Sequence, residues 1–181
     1  MANNFLPSNQ PQLGEDGFYA SNNYLKVDYY KGRFSAGTQL EGYFPYLVGY
    51  PGNLNKMALS NLYVNWRDDS YSVTVGTFYD QFGSGLLFRS WEDRTLGLNN
   101  AIVGARATYS FKDYASVKVL WGVPRLGTGN DNGKFFGLGL SKVNVAGADL
   151  SISLSDIFNM ETASLALEGS VLNKHEAVTE D

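Results

Sequence analysis

Apolar and polar residues alternate with a period of two through most of the chain, the pattern of strands whose two faces meet different surroundings. Leu25, Val27 and Tyr29 alternate with Lys26 and Asp28, and Phe34, Ala36, Leu40 and Phe44 share a parity opposed by Ser35, Gln39 and Glu41. Leu62, Val64 and Trp66 oppose Asn61, Asn65 and Arg67, and Tyr71, Val73 and Val75 oppose Ser72 and Thr74. After a break the alternation resumes, with Val103, Ala105, Ala107, Tyr109 and Phe111 against Arg106, Thr108 and Ser110, then Val117, Val119 and Trp121 against Ser116 and Lys118. Three further runs centre on Phe136 to Leu140, Leu150 to Leu154 and Leu165 to Val171. No segment carries a convincing helical period. The pattern predicts an all-β chain, an antiparallel up-and-down meander of about nine strands.

The connections alternate between tight and long as far as the sixth strand. "YYKGRF", "WRDDSY" and "SFKDYA" are tight turns, whereas residues 45–57, 78–100 and 122–134 are long. In a meander, alternate connections emerge at opposite ends of the sheet, so one rim carries turns and the other carries loops, an asymmetry of outer-membrane barrels. Aromatic residues gather at both rims: Tyr29, Tyr30, Phe34, Trp66, Tyr71, Tyr109, Phe111 and Tyr114 flank the turns, while Phe44, Tyr46, Phe78, Tyr79, Trp121, Phe135 and Phe136 flank the loops. Two such belts fit the two membrane–water interfaces. The expectation is a partial transmembrane β-barrel in a bacterial outer membrane, with residues 1–21 a polar N-terminal segment or loop, 22–172 the barrel segment and 173–181 a charged tail. The first strand would run from the loop rim to the turn rim and the ninth would leave on the turn rim, as expected of part of a larger barrel. A soluble sheet packing one face on a core alternates as well, and in that alternative Trp66, Trp91 and Trp121 would stack on sugars as a carbohydrate-type binding module.

Composition narrows the picture. The 181 residues suit one domain, and with no cysteine there is neither a disulfide framework nor a thiolate site. Eighteen acidic against 14 basic residues give a net charge of −4, without the basic field that nucleic-acid binding uses. No run approaches the roughly 20 apolar residues of a membrane-spanning helix. The expected partners are membrane lipid and small solutes, with no nucleic acid; the chemistry-bearing motifs imply no enzyme and no cofactor. Gly83 and Gly85 follow a strand but open no helix, so they form no phosphate cradle. "GTGNDNG" around Asp131 lacks the closing glutamate of a calcium loop. The single histidine, His175, stands in the tail, away from any strand-end serine, and no catalytic or metal residue is assigned.

The segment that stands out is "FYDQFGSGLLFRSWEDRTLGLNN", residues 78–100. Its glycines allow the backbone to leave the strand sharply, and its apolar residues Phe82, Leu86, Leu87, Phe88, Trp91, Leu96 and Leu98 call for a covering surface. The expectation is that the loop at residues 80–100 folds into the barrel, its candidate lumen residues being Asp80, Arg89, Trp91, Glu92, Asp93, Arg94 and, on the following strand, Arg106. These residues form either a charged constriction that selects solutes or a structural latch, and the protein as a whole is expected to be a passive pore or a binding or assembly component. Lys118 and Glu41 are the further wall charges expected to partner the loop.

The stretch "VGTFYDQFGSGLLFRSWEDRTLGLNNAIVGARATY" resembles the signature segment of an uncharacterised family of Bacteroidota outer-membrane β-barrels, the domain of unknown function 6029 family. There a strand ending Gly-x-Phe-Tyr-Asp-Gln-Phe-Gly-Ser-Gly leads to an aromatic, acidic and arginine cluster, then Leu-Gly-x-Asp/Asn-Asn and another strand. "YLKVDYYKGRFSAGTQLEGYFPYLVGYP" is similar too, so the resemblance covers at least Tyr24 to Tyr109. It implies an outer-membrane barrel with further strands on both sides and no known activity or catalytic residue.

Overall fold

The computed structural model describes residues 6–7, 19–44, 56–112, 114–128, 134–135, 138–160 and 162–176. Nine strands make the main sheet: β1 (Asn22–Lys31), β2 (Phe34–Tyr43), β3 (Lys56–Arg67), β4 (Tyr71–Phe78), β5 (Ile102–Phe111), β6 (Ala115–Thr128), β7 (Leu138–Leu140), β8 (Val143–Ser153) and β9 (Ala166–Glu176). β1 to β6 pair in chain order and antiparallel; β7 and β8 then share the remaining edge of β6, and β9 pairs with β8. Among the described residues, β1 and β9 are edges of the sheet, and Lys134–Phe135, beside β7, is a third. Leu6–Pro7 pairs with Tyr19–Ala20, and Lys134–Phe135 with β7, as two-residue ladders. The Asp131 turn and the loop at residues 45–55 lie outside the described residues.

The meander of about nine strands is thus the architecture, with one change in its course. β7 and β8 run in the same direction along β6, and the register slips where Ser141 and Lys142 intervene, Ser141 N–H donating to Pro124 O at 2.8 Å. No reversal separates them, so β8 ends on the turn rim, where Ser153 N–H donates to Tyr114 O. The only described helix, the single turn α1 (Leu154–Ile157), is capped by Ser153 and sits in the connection to β9. β9 consequently leaves on the loop rim, not on the turn rim that a separate seventh and eighth strand would require. It also runs to Glu176, so Asn173 to Glu176, read as the start of the tail, pair with Val143 to Ala146 and carry His175 opposite Asn144.

Register puts one parity of each strand on a common face. Val64 lies opposite Val75, Val75 opposite Ala105, Ala105 opposite Trp121 and Trp121 opposite Ala146. This apolar face is open: Val75 is 56% exposed, and Val27, Val73, Val117, Val119 and Val171 are exposed with it. The polar parity is the covered one, Thr74 beside Val75 being only 4% exposed. At the turn rim Tyr71 faces Tyr109 and Phe34 faces Trp66, and the Tyr29 and Phe34 rings meet edge-on at 6.4 Å, so an aromatic belt forms there. At the loop rim Phe44 and Trp121 are exposed, but Phe78, expected among the belt residues, is buried on the polar side, where Arg106 lies over its ring at 5.5 Å. Tyr46, Phe135 and Phe136 belong to residues whose side chains are not described.

The sheet is rolled toward its polar face. Arg125 of β6 donates through Nη1 and Nη2 to both carboxylate oxygens of Glu41 on β2, and the two side chains are 0% and 1% exposed. β2 and β6 are four positions apart in the sheet, roughly 19 Å if it were flat at about 4.8 Å per strand, farther than these side chains reach. A bulge in β3 supports the bend: Ser60 is the extra residue, fully buried, its hydroxyl donating to Gln39 O at 3.1 Å and accepting from Gln39 Nε2 at 3.2 Å. The core lies inside this roll, where Phe78, Phe82, Phe88, Ile102, Leu120 and Val145 cluster.

Removing one member of the buried pair leaves the other charge desolvated. Arg125→Met is expected to cost about 3–5 kcal/mol, and the double change Glu41→Leu with Arg125→Met to recover most of it. Urea unfolding of the three proteins checks this.

Candidate functional site

Residues 79–101 leave β4 and fold back onto the polar face as two small hairpins. The first is closed by Ser90 N–H donating to Asp80 O at 2.7 Å, by a bridge between Gln81 and Arg89, and by Phe82 N–H donating to Phe88 O. Its tip turns at Gly83 and Gly85, both with positive φ (46° and 85°), which the missing Cβ permits. In the second, Glu92–Asp93 pairs with Leu98–Asn99, and Asp93 accepts from Thr95 N–H and Oγ1–H and from Leu96 N–H. The Thr95 hydroxyl, with the Leu96 amide, holds the Asp93 carboxyl below its ordinary range.

Two polar attachments fix the loop. Asp80, its side chain 5% exposed, accepts from Arg106 Nη1 at 2.9 Å and from Lys118 Nζ at 2.6 Å, joining β5 and β6. Arg106 also donates to Tyr79 O at 3.0 Å and from Nε to Thr74 Oγ1 at 3.3 Å; Lys118 also donates to Gln81 O. On the other wall, Gln39 of β2 donates to Glu92 Oε1 at 3.3 Å and accepts from Arg94 Nη2 at 2.9 Å, and Arg94 lies over the Tyr24 ring at 4.5 Å. Arg94 and Glu92 are themselves paired at 3.3 Å. Tyr79 is half-buried between these attachments, and its desolvation, then the Glu92 charge, raises its phenol well above the ordinary value and keeps it neutral.

A third attachment is apolar. Phe82, 2% exposed, tilts on Phe88 with ring centroids 5.2 Å apart and packs over Gly147 of β8. A Cβ at Gly147 would stand 2.7 Å from Phe82 Cε2 and 2.8 Å from Val171 O, so only glycine leaves room for the ring.

The structure therefore brings Asp80 to Arg106, and Glu92 to Arg94, while Asp93 serves its own turn. Arg89 is exposed and stacks on the partly exposed Trp91 at 5.1 Å. Of the seven apolar loop residues expected to need cover, Phe82 and Phe88 are buried, but Leu86 is 95% exposed and Leu87, Leu96, Leu98 and Trp91 are also open. The glycine turn throws Leu86 and Leu87 away from the sheet. Lys118 takes the role expected of it, whereas Glu41 is occupied by Arg125 and not by a loop charge. Gln39, Arg125 and Gly147 carry no local signal in the sequence; Gln39 meets Arg94 across 55 residues, Arg125 meets Glu41 across 84, and Gly147 meets Phe82 across 65. Trp66 and Trp121 lie on the apolar face and Trp91 on the loop, so the three do not form one stacking platform.

A family model described as a family of unknown function, DUF6029, matches residues 6–181. The chain belongs to this family. Neither the curated proteins nor the solved structures contain a match to it. For this DUF6029 protein the loop and its three attachments are thus the starting point for a functional reading.

Asp80→Asn is expected to lower stability by about 1.5–3 kcal/mol through the loss of charge-assisted bonds to Arg106 and Lys118, and to speed protease cleavage after Arg89. Arg89→Gln, by contrast, should change stability by less than about 0.5 kcal/mol. Denaturant unfolding and timed proteolysis of both variants measure these effects.

Proposed function

We propose that this DUF6029 protein is a β-barrel segment of a bacterial outer membrane, with the apolar face toward lipid and the loop at residues 79–101 held inside as a structural latch. One observation carries the reading: the packing is inverted. In a water-soluble sheet the apolar face is covered and the polar face is wet, whereas here ion pairs and a folded loop cover the polar face and valines and tryptophans line the open one. Strand lengths support it, since β1, β2 and β5 have 10 residues and β8 and β9 have 11, against roughly 9–11 for a tilted transmembrane strand.

Latching is favoured over a selective constriction because Asp80, Glu92 and Arg94, the loop charges that touch the walls, are partnered. Asp80 is neutralised by two wall cations and Arg94 is tied to Glu92 and Gln39. With Ser90 and Ala101 of the loop buried, and Glu41, Ser60 and Arg125 buried beside it, the loop-rim half of the concave side is filled. A filled half favours a binding or assembly role over passive conduction.

Val75→Arg or Val119→Arg is expected to cost roughly 2–4 kcal/mol in a bilayer, while Ser72→Arg on the polar parity is tolerated. Refolding into liposomes with a flotation assay reads both. Equal tolerance on the two faces, or failure of the wild type to float, would overturn the membrane assignment.

A further inference from the structure

The half of the concave side that the loop leaves unfilled is a cavity of about 450 Å³ on the turn-rim side. Phe78 and Tyr79, at the base of the loop, close its inner end, and Gly32 and Arg33 in the first tight turn stand at its mouth. Its volume suits a small organic molecule.

The charges on its lining are of one sign, with Asp28 standing behind Tyr63, whose hydroxyl donates to it at 3.0 Å. Arg33, Arg67 and Arg106 line the cavity, and among the described residues no aspartate or glutamate does. Two of these arginines are partnered from beyond the lining, Arg33 by Asp68 at 2.7 Å and Arg106 by Asp80. Arg67 makes no ion pair among the described residues. Arg106 is held rigidly through Nε and Nη1, which bond Thr74, Tyr79 and Asp80, and its Nη2 makes no hydrogen bond among the described residues. Between the arginines runs a ridge of neutral polar groups already fixed by one another: Thr74 Oγ1 donates to Asn65 Oδ1 at 2.9 Å, and Asn65 Nδ2 donates to Ser35 Oγ at 3.4 Å.

A guanidinium offers a planar fork of donors that matches the paired oxygens of a carboxylate or phosphate. A cleft of one sign with low-dielectric walls concentrates the counter-ion. We propose that this cavity is a binding site for a small organic oxyanion, a carboxylate or phosphate monoester on a hydroxylated skeleton, which enters from the turn rim. Arg67 meets the anion at the mouth, the free edge of Arg106 receives it deeper, and the Ser35–Asn65–Thr74 ridge faces the hydroxylated body. The inference holds whether or not the opposite face of the sheet meets lipid.

The test is calorimetric titration of the full chain in detergent micelles with glucose 6-phosphate, gluconate and glucose. Saturable binding of glucose 6-phosphate or of gluconate, weakened by added salt and absent for glucose, is expected, and the anion that binds more tightly identifies phosphate or carboxylate as the recognised group. Arg67→Gln, a change at an exposed side chain that holds no partner among the described residues, is expected to weaken it about tenfold, the loss of one charge-assisted contact. Arg106→Lys, which keeps the charge that pairs with Asp80 but loses the fork, is expected to weaken it as well. No saturable binding of either anion, equal binding of glucose, or affinity unchanged in both variants would overturn the proposal. Flotation of the same wild-type protein is read separately, so failure of the membrane assignment and failure of the anion site give different results.

Discussion

A buried carboxylate and a buried guanidinium, Glu41 and Arg125, must meet because neither can be left desolvated without its opposite charge. They belong to strands four places apart, so their meeting obliges the sheet to roll at its loop rim. That curvature makes the polar face concave and gives the loop at residues 79–101 two walls. Gln39 on β2 holds Glu92 and Arg94 from one side; Arg106 on β5 and Lys118 on β6 hold Asp80 from the other. On a flat sheet no single loop could touch both sets.

The loop is anchored by few groups. Phe82 and Phe88 supply its buried apolar surface, Asp80 its desolvated charge, and Glu92 with Arg94 a part-exposed pair whose contribution is smaller because solvent screens it. The remaining leucines cover nothing among the described residues. An exposed apolar side chain at a hairpin tip, as at Leu86, is a surface able to meet another molecule.

Packing divides the concave side into a filled half and an open half. Toward the loop rim the ion pair, the Ser60 bulge and the two hairpins leave the interior closed; toward the turns, beside β1 to β5, an arginine-lined cavity remains. The same residue joins the halves. Arg106 latches Asp80 through one edge of its guanidinium and presents the other to the cavity, so in the proposed reading the strength of the latch and the geometry of the anion site are coupled through one side chain.

The strands themselves were legible along the chain, because a side-chain period of two is a local property and a face that meets one environment stamps its parity on every strand. The same parity separated Val73, Val75 and Val119 from Thr74, Arg106 and Lys118, and the positive φ at Gly83 and Gly85 follows from their lack of a Cβ. Asp80 could be matched with Arg106 and Lys118 because all three carry charge on the covered parity. Other features depended on tertiary structure. Ser141 and Lys142 read as the end of one strand and the approach to another, yet they interrupt a single path along β6, and only the pairing with Gly122 and Arg125 reveals it. Phe78, counted with the rim aromatics, shares the parity of Thr74 and Arg106 and so lies on the covered face, where it packs with Ile102. Glu41 found Arg125 and Phe82 found Gly147 through the curvature of the whole sheet, a sum of small twists and one bulge that no local stretch of residues encodes.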